Sequence, residues 1–341
     1  MTSTAHRIVL AGSNAEFACE LGDSLLRAAQ RAGLGFPYEC NVGSCANCRF
    51  ELVQGEVQMN WPQAPGWTER DRQRHRYLGC QARPRSDCVL KLRLDPRCVP
   101  VHRPRRISAR LEARRAITHD IGEFRFRLEQ PQRFEPGQYA LAYLPGVVGA
   151  RAYSMSNASG EAGLWEFQVR RVPGGQGSAA LFDAVAPGQS IELDGPYGMA
   201  YLRRAAPRDI LCLAGGSGLA PMISIARCAM HEPALMQRRL FFLYGARTAA
   251  DVCGEDMLRE LPGWGQRLSY EAAVSHLADP PGAAWSGAVG WLHDVAQQRF
   301  STQLQQMEIY FAGPPAMASA VQRMLHETRV PAEQIHFDQF Y

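Results

Sequence analysis

Four of the ten cysteines in this 341-residue chain have a spacing that suits metal ligation. Cys40, Cys45 and Cys48 follow the pattern C-x4-C-x2-C, and Cys80 comes later in the chain. This is the plant-type spacing for a [2Fe–2S] cluster. Three thiolates on one short loop can surround the cluster while a fourth, from a separate segment, completes its coordination. We therefore predict that these four cysteines are metal ligands, with backbone N–H groups of the small intervening residues donating to sulfur.

A zinc site, or a set of unrelated buried thiols, is the alternative interpretation. Zinc sites usually have two close pairs of ligands, and no second C-x2-C or H-x3-H pair follows here. Cys88 competes as the fourth ligand, but Cys80 stands in the segment YLGCQ and fits the plant-type spacing better. The other cysteines are expected to be small core or surface residues: Cys19, Cys98, Cys212, Cys228 and Cys253.

A glycine-rich segment, RRVPGGQGSAAL at residues 170–181, is a candidate for binding phosphate. Gly174, Gly175 and Gly177 let the backbone approach a phosphate group closely. Ser178 is expected to begin a helix whose N–H groups favour an anion. A plain hairpin turn is the alternative for this segment when it is taken alone.

The elements that must position these residues divide the chain into three parts. Residues 1–96 alternate short β-like runs with one helical stretch, which Asp23 is expected to cap, and form a small α+β unit around the four cysteines. Residues 97–106 are rich in Pro and Arg and predict a linker. Residues 107–203 have strands punctuated by Gly and Pro, typical of an antiparallel barrel. In residues 204–341 apolar strands alternate with helices, which predicts a doubly wound parallel sheet.

The composition excludes several classes of function. An apolar fraction of 46% and a charged fraction of 21% are those of a folded globular chain. No apolar run reaches the length of a membrane span or a secretory signal, so the expected location is the cytoplasm. The basic run at residues 70–76 lacks the interleaved aromatic residues that stack on nucleic acid bases. We interpret it as a solvated face or, alternatively, as a docking patch for an acidic partner.

Several motifs resemble those of a known family. The segment YECNVGSCANC, followed by YLGCQ, resembles the ferredoxin domain of bacterial oxygenase reductases. RAYSMSN at residues 151–157 resembles the R-x-Y-S-x-[ST] motif of the ferredoxin–NAD(P) reductase family, and LAGGSGLAPM at residues 213–222 resembles its G-G-x-G-[IL]-x-P turn. WPQAPG at residues 61–66 resembles the reductase components of toluene-type aromatic monooxygenases. The resemblance implies a plant-type ferredoxin β-grasp domain, an FAD-binding β-barrel and an NAD(P)H-binding α/β domain.

The resemblance also implies roles for the flavin residues. Arg151 is expected to donate to the diphosphate of FAD, Tyr153 to lie against the isoalloxazine ring, and Ser154 to form a hydrogen bond near N5. Tyr153 and Ser154 are thus the candidate catalytic residues. Gly174, Gly175 and Ser178 take the part of the family's diphosphate loop.

The nicotinamide residues are assigned in the same way. The glycine turn supplies Gly215, Gly216 and Gly218 and is followed by Pro221. FAGPPAM at residues 311–317 resembles the family's C-G-P-P-x-M turn, with Gly313 and Pro314 in the matching places.

Three further features bear on how the flavin and the nicotinamide cofactor are bound and used. Ala312 stands where the family commonly has a cysteine, which puts the efficiency of hydride transfer in question. Phe340 or Tyr341 is expected to cover the flavin, the alternative being that both merely pack the terminus. The resemblance favours NADH, although Arg247 is able to pair with the 2′-phosphate of NADPH.

These observations lead to one functional hypothesis and two rivals. The chain is expected to pass electrons from NADH through FAD and a [2Fe–2S] cluster to the ferredoxin or hydroxylase component of an aromatic monooxygenase, either a Rieske-type ferredoxin or a di-iron hydroxylase. One alternative is the reductase of a Rieske-type ring-hydroxylating dioxygenase. The other is a redox-sensing iron–sulfur interaction protein, which would show negligible steady NADH turnover.

Overall fold

The computed structural model describes residues 5–159, 163–276 and 285–338. The N-terminal unit contains a five-stranded mixed sheet and a separate two-stranded sheet. In the larger sheet the strand order is β2-β1-β7-β3-β5, and β1 runs parallel to β7. The elements of the whole N-terminal unit are β1 Ala5–Leu10, β2 Glu16–Glu20, α1 Leu25–Arg31, β3 Arg49–Gln54, β4 Val57–Met59, α2 Glu69–Gln73, β5 Arg76–Leu78, β6 Ala82–Pro84 and β7 Cys88–Lys91. Strands β4 and β6 form the two-stranded sheet. The α+β prediction for this unit is confirmed.

Helix α1 begins one residue later than the predicted cap implies. Ser24 occupies the N-cap position, and its side chain accepts a hydrogen bond from Arg27 N. The prediction that Asp23 caps the helix is wrong, because its carboxylate instead accepts from Ser24 N and lies near Arg31. Asp and Ser both cap helices well, so the sequence alone does not show which of these two adjacent residues is the N-cap.

The middle unit is a six-stranded antiparallel sheet in the order β11-β10-β13-β8-β9-β12. Its strands are β8 Arg105–Ala116, β9 Ile121–Leu128, β10 Tyr139–Tyr143, β11 Arg151–Ser154, β12 Leu164–Arg170 and β13 Ser190–Tyr197, with the short helix α3 Gln176–Ala179 before β13. An isolated antiparallel bridge between Met155 and Phe167 joins the two outer strands. The sheet therefore curls into a near-closed barrel around an apolar core, as predicted.

The C-terminal unit is a six-stranded, wholly parallel sheet in the order β17-β16-β15-β14-β18-β19. Its elements are β14 Asp209–Gly215, α4 Leu219–His231, β15 Leu240–Ala246, α5 Glu255–Arg259, β16 Leu268–Val274, β17 Ala288–Val289, α6 Leu292–Phe300, β18 Met307–Ala312, α7 Pro315–Glu327 and β19 Ile335–Phe337. Alternate residues of β14 enter two separate apolar cores, one with α4 and one with α6 and α7. This confirms the doubly wound arrangement.

Several hydrogen bonds join the N-terminal unit to the barrel. Arg31 on α1 donates to Asp194 Oδ2 at 2.8 Å and to Tyr197 Oη at 3.0 Å. Tyr38 Oη accepts from the barrel's Gly198 N at 3.0 Å. Tyr139 Oη donates to the carbonyl of Glu39 at 2.8 Å. The two units therefore meet through buried polar groups directly beside the cysteine loop.

No helix within the described ranges combines the length and apolar character needed to cross a bilayer. The proposed boundaries at residues 96, 106 and 203 stay predictions. Between β7 and β8 the chain forms a single 3₁₀ turn at Pro96–Cys98, and the first strand of the barrel already begins at Arg105.

Candidate redox and nucleotide sites

The four predicted ligands form two close pairs. The thiols of Cys40 and Cys45 are hydrogen-bonded, and the sulfurs of Cys48 and Cys80 lie 3.4 Å apart. Cys40, Cys48 and Cys80 are buried, and Cys45 is partly exposed. Two thiol pairs are the donor set that a cluster with two irons requires.

The first pair lies in a cradle of backbone amides. Val42, Ser44 and Cys45 each direct an N–H toward Cys40 Sγ, at 3.5, 3.4 and 3.4 Å. The hydrogen bond from the Cys45 thiol and these amides lower the pKa of Cys40 to about 5. A sulfur that collects N–H donors is already set up to carry negative charge, so the loop fits an anionic cluster.

The loop reaches this shape through left-handed backbone angles. Asn41, Gly43 and Ala46 have φ values of 55°, 99° and 62°. Asn41 Nδ2 is buried and has no hydrogen-bond partner within the described part of the chain. An orphaned donor next to a ligand is expected where a sulfur-rich group binds, because buried polar atoms otherwise find partners.

The segment at residues 61–66 covers the cysteine loop. Gly66 N donates to Gly43 O at 3.0 Å, and a Cβ added to Gly43 would lie 3.2 Å from the Trp61 ring. Trp61 itself is 41% exposed. The segment that carries the finer family resemblance is thus a lid over the loop, a role that its sequence did not suggest.

Cys88 lies apart from the four cysteines. It belongs to β7, where it pairs with Ile8. Its thiol donates to the carbonyl oxygens of Ser86 and Glu56 at 3.2 and 3.5 Å. Burial raises its pKa. Because the Cys88 thiol donates to carbonyl oxygens whereas Cys80 Sγ lies 3.4 Å from Cys48 Sγ, the geometry favours Cys80 as the fourth ligand.

The predicted flavin residues lie on one barrel strand. Arg151, Tyr153 and Ser154 belong to β11, and Ser154 stands opposite Tyr139 of β10. Arg151 and Tyr153 are partly exposed, whereas Ser154 is buried. Burial raises the pKa of Tyr153 to about 12, so its hydroxyl stays protonated at neutral pH. The arrangement presents one cation and one neutral aromatic ring on the same surface.

The glycine-rich loop packs against this strand. A Cβ added to Gly177 would lie 2.7 Å from Arg151 Cγ and 3.1 Å from Tyr153 Oη. Gly174 has a φ of 72°, and nothing surrounds the place of its missing Cβ. The backbone at Gly177 thus packs too closely against Arg151 and Tyr153 to leave room for a side chain. At Gly174 the backbone is open to solvent, so its N–H groups are accessible to a diphosphate.

Ser178 does not begin the helix. Helix α3 starts at Gln176 with Gly175 as its N-cap, so Ser178 lies inside the first turn. Its hydroxyl donates to Gly175 O at 3.1 Å and accepts from Val172 N at 3.0 Å. The prediction for the helix start is wrong because Ser178 fastens the preceding loop to the helix instead of capping it.

The two nicotinamide motifs meet where the strand order of the parallel sheet reverses. Strand β14 pairs with β15 on one side and β18 on the other, and its Ala214 stands beside Ala312. A Cβ added to Gly218 would lie 2.0 Å from Ala312 O. Ligands of open α/β sheets bind at such a switch point. The two motifs therefore form one crevice, which fits a dinucleotide.

The remaining predicted residues complete this crevice. A Cβ on Gly215 or on Gly313 would lie 2.5 or 2.7 Å from Met317 Sδ. Pro221 lies in the first turn of α4, and Pro314 is the N-cap of α7, positions where the missing N–H costs nothing. Phe340 lies outside the described residues.

Sequence reasoning missed Arg170 and Asp338. Arg170 of the barrel forms an ion pair with Asp120 at 2.6 Å, and its guanidinium lies 3.7 Å from the Cβ position of Gly216. Asp338 is buried against Gly198, and burial raises its pKa to about 8. Arg170 stands within the quoted segment at residues 170–181, but no spacing in the sequence marks Asp338.

The α4 helix holds the end of the flavin motif. Arg227 donates to Ser156 O at 2.9 Å and Ser224 donates to Asn157 O at 2.8 Å. Ser156 Oγ is buried without a partner among the residues described. Hydrogen bonds from side chains of α4 to backbone carbonyl groups therefore hold the end of the flavin motif against the nicotinamide-binding unit.

Three family models match the chain in succession. They are the 2Fe-2S iron–sulfur cluster binding domain at residues 8–85, the oxidoreductase FAD-binding domain at residues 108–201 and the oxidoreductase NAD-binding domain at residues 212–323. These matches confirm the [2Fe–2S], FAD and NAD cofactor set.

Curated relatives resemble the chain along nearly its whole length. The ferredoxin–NAD(P)(+) reductase CarAd of Metapseudomonas resinovorans is 39% identical, over 95% of this chain and 96% of that protein. The ferredoxin–NAD(+) reductase component of the alkene monooxygenase system of Xanthobacter autotrophicus is 37% identical, over 95% of this chain and 97% of that protein. A solved ferredoxin reductase in carbazole 1,9a-dioxygenase has a TM-score of 0.91 and 35% identity, with full coverage of both chains.

Proposed function

The chain belongs to the ferredoxin–NAD(P) reductase family, and we propose from this premise that it is the reductase component of a bacterial oxygenase system. It is an oxidoreductase that carries electrons from NAD(P)H through FAD and a [2Fe–2S] cluster. The recipient is a ferredoxin or oxygenase component, as in the relatives. What remains to be assigned is which residues serve each cofactor and which partner accepts the electrons.

The contact between Tyr139 and Glu39 carries this proposal. Tyr139 stands opposite Ser154 on the flavin strand, and its hydroxyl donates to the carbonyl of Glu39, the residue before Cys40. One hydrogen bond thus joins the predicted flavin surface to the predicted cluster loop. Electron transfer between two sites is favoured when the fold holds them adjacent in this way.

Each group of residues has a separate task in the proposed reaction. When bound, FAD accepts hydride from the nicotinamide cofactor and releases electrons one at a time to the [2Fe–2S] cluster. Arg151 and the open backbone at Gly174 hold the diphosphate by charge and by N–H groups. Tyr153, neutral at physiological pH, offers an uncharged aromatic surface, and Ser154 offers a hydroxyl donor beside it.

The remaining residues bind the cluster and the nicotinamide cofactor. Cys40, Cys45, Cys48 and Cys80 bind the cluster through their sulfurs. Gly215, Gly216 and Gly218 keep the crevice open for the dinucleotide, together with Gly313.

We propose that the electron acceptor is a component of an aromatic monooxygenase, either a Rieske-type ferredoxin or a di-iron hydroxylase. A Rieske-type dioxygenase is the second candidate, and the similarity to the carbazole 1,9a-dioxygenase reductase favours it. Reconstitution of the purified chain with each acceptor, followed by NADH-dependent substrate oxidation, separates the two. The acceptor whose oxygenase turns over identifies the system.

We also propose NADH as the preferred reductant and the cytoplasm as the location. Arg247 is exposed just beyond β15, where its guanidinium is available to a 2′-phosphate. The preference is tested by measuring kcat/KM for NADH and for NADPH, in the parent chain and in Arg247→Gln. A large loss with NADPH alone would assign Arg247 to NADPH binding. None of the ten cysteines, all of which lie in the described residues, forms a disulfide, which supports a reducing compartment.

An anaerobic titration with NADH tests the electron path. The expected result is bleaching of the flavin absorbance together with a low-temperature EPR signal from a one-electron-reduced cluster. Flavin bleaching without the cluster signal would overturn the cysteine assignment or the relay. Absence of steady NADH oxidation with any acceptor would favour the redox-sensing alternative.

A further inference from the structure

Arg27 is a buried cation without a carboxylate partner. It lies on α1 and is 7% exposed. Its guanidinium donates to Asn41 Oδ1 and Asn41 O, both at 3.2 Å, and to Tyr143 Oη at 3.0 Å. All these acceptors are neutral, and none of the ion pairs among the described residues includes Arg27. Burying an unpaired charge is strongly unfavourable, so this arginine calls for an anion nearby.

Asp23 and Asp194 act on Arg27 electrostatically, but neither forms an ion pair with it, and both are paired with Arg31. Asp194 accepts from Arg31 at 2.8 Å, and Asp23 lies 3.4 Å from the same guanidinium. Asp194 also accepts from Tyr197 Oη at 2.9 Å. Arg31, one turn after Arg27 on the same helix, therefore has the carboxylates that Arg27 lacks.

A further source of negative charge, with no cation paired to it within the residues that the structure describes, is the group held by the cysteines. Arg27 bonds twice to Asn41, the residue after Cys40, and it is close enough to Cys80 to act on that thiol electrostatically. A [2Fe–2S] cluster with four thiolate ligands has a net negative charge, which grows by one unit when the cluster is reduced. A fixed cation beside it favours the reduced form, because the attraction is larger after the electron arrives.

Asn41 is oriented by the same arginine. Because its Oδ1 accepts from Arg27, its Nδ2 must face away from the guanidinium, and this nitrogen has no partner in the described structure. The φ of 55° at Asn41 is one that Asn and Asp tolerate better than other side chains. Arg27 thus fixes the side chain of the loop residue next to the first ligand.

We propose that Arg27 is the buried counter-charge of the [2Fe–2S] cluster and that it raises the cluster's reduction potential. The proposal rests on the assignment of Cys40, Cys45, Cys48 and Cys80 as ligands. Because Tyr143 belongs to the barrel, the guanidinium that sets the potential also contacts the flavin-binding unit. Arg27 touches no reacting group of NADH or FAD, so it is a positioning and potential-setting residue.

The test is an EPR-monitored redox titration of the full-length holoprotein. Arg27→Gln is expected to make cluster reduction about tenfold less favourable, which corresponds to about 59 mV for one electron. Arg27→Lys keeps the charge and is expected to stay within about threefold of the parent. Arg93→Gln is the matched control, because Arg93 is exposed just beyond β7 of the same unit and solvent screens its charge, so its titration is expected to match the parent. The Arg27→Gln shift is expected to persist at high salt, since a buried charge is poorly screened.

Three results would overturn the proposal. They are an unchanged potential in folded, cluster-loaded Arg27→Gln, equal shifts in Arg27→Gln and Arg27→Lys, and an equal shift in Arg93→Gln. If Arg27→Gln fails to fold, Asn41→Asp decides, because it gives Arg27 a carboxylate at the same place and is expected to lower the potential similarly. An unchanged potential in Asn41→Asp rejects the counter-charge. A parent protein that shows no cluster signal after reconstitution overturns the proposed function as well.

Discussion

The cluster site and the nicotinamide crevice are built in opposite ways. The first consists of side chains: four sulfurs gathered by a loop and one distant residue, with amides directed toward Cys40. The second consists of missing side chains, since a Cβ on Gly218 would lie 2.0 Å from Ala312 O. The cluster site depends on the ligating atoms of its side chains, and the crevice depends on the room that its glycines leave. Substitutions should therefore have different effects: a defect at the cluster lowers only reduction of the protein acceptor, whereas a defect in the crevice lowers reduction of the dye and of the protein acceptor alike.

The largest effect is expected at the cluster. Cys45→Ser removes one thiolate and should lower reduction of a one-electron protein acceptor by about 100-fold or more, because the cluster is no longer held. NADH oxidation with a flavin-level dye should stay near the parent value. Cys253→Ser, at a thiol outside the proposed site, is the control. Equal loss of both activities in a folded variant that still holds FAD would contradict the relay.

A single methyl group should produce the next largest effect. Gly218→Ala is expected to reduce kcat/KM for NADH by about 10- to 100-fold, because roughly 1.4–3 kcal/mol of nucleotide binding is lost to the displaced turn. Both the dye and the protein acceptor should be affected equally. Gly163→Ala is the control, since its Cβ would meet only Arg127 at 3.7 Å. A normal KM and kcat in Gly218→Ala would show that the crevice is elsewhere.

Removal of the positive charge of Arg151 on the flavin strand should have a smaller effect than the added methyl group of Gly218→Ala. Arg151→Gln removes charge-assisted hydrogen bonds to the diphosphate and should weaken FAD binding by about tenfold. Retention of FAD on dilution, followed by flavin fluorescence, measures the change. Arg110→Gln, at an exposed position of β8, is the comparison. Undiminished FAD retention in Arg151→Gln would remove Arg151 from the site.

The buried acid near the cluster loop predicts a pH effect on stability. The pKa of Asp338 is raised from 3.8 to about 8 by burial, so the folded protein binds this proton more tightly than the unfolded chain. Its stabilising contribution is present below pH 4 and is lost as the pH rises to 8. Between pH 5 and 8 the melting temperature should fall by about a few degrees less in Asp338→Asn than in the parent. Asp294→Asn, at an exposed position of α6, should leave the pH dependence of the melting temperature unchanged. An unchanged pH dependence in Asp338→Asn would contradict the raised pKa of Asp338.

The smallest effect is expected at Ala312. Ala312→Cys restores the residue common in the family, and it should change kcat with NADH by less than about threefold, because the hydride chemistry belongs to the cofactors. Ala272→Cys, on the same row of the sheet, controls for overpacking. A change well above threefold at Ala312 alone would show that this position takes part in hydride positioning.

Local patterns predicted most of this architecture. Cys40, Cys45 and Cys48 are close in sequence, so their spacing already fixes a shared loop, and the alternation of apolar strands and helices in residues 204–341 predicted the parallel sheet. The glycines that keep their backbones near Ala312 and Arg151 stand in motifs that are themselves local. The spacing of neighbouring residues was sufficient to predict a site wherever a single loop or turn forms it.

Contacts between distant segments were not predictable in this way. In the sequence Arg27 resembles any exposed helical arginine, and its burial depends on contacts with the distant residues Asn41 and Tyr143. Asp338 follows an edge strand and becomes buried because Gly198 leaves room for its carboxylate. The cap at Ser24 and the loop bond of Ser178 depend on which of several equivalent groups happens to be in reach.

The bonds between the N-terminal unit and the barrel bear on the exchange of modules between reductases. Tyr139 donates to the main-chain carbonyl of Glu39, so a transplanted ferredoxin module would keep that bond whichever side chain replaced Glu39. The bond of Arg31 to Asp194 has no such tolerance, because Asp194 is fully buried and would lose its cation. A working chimera therefore needs an arginine at this place in α1, or a barrel in which Asp194 has been neutralised.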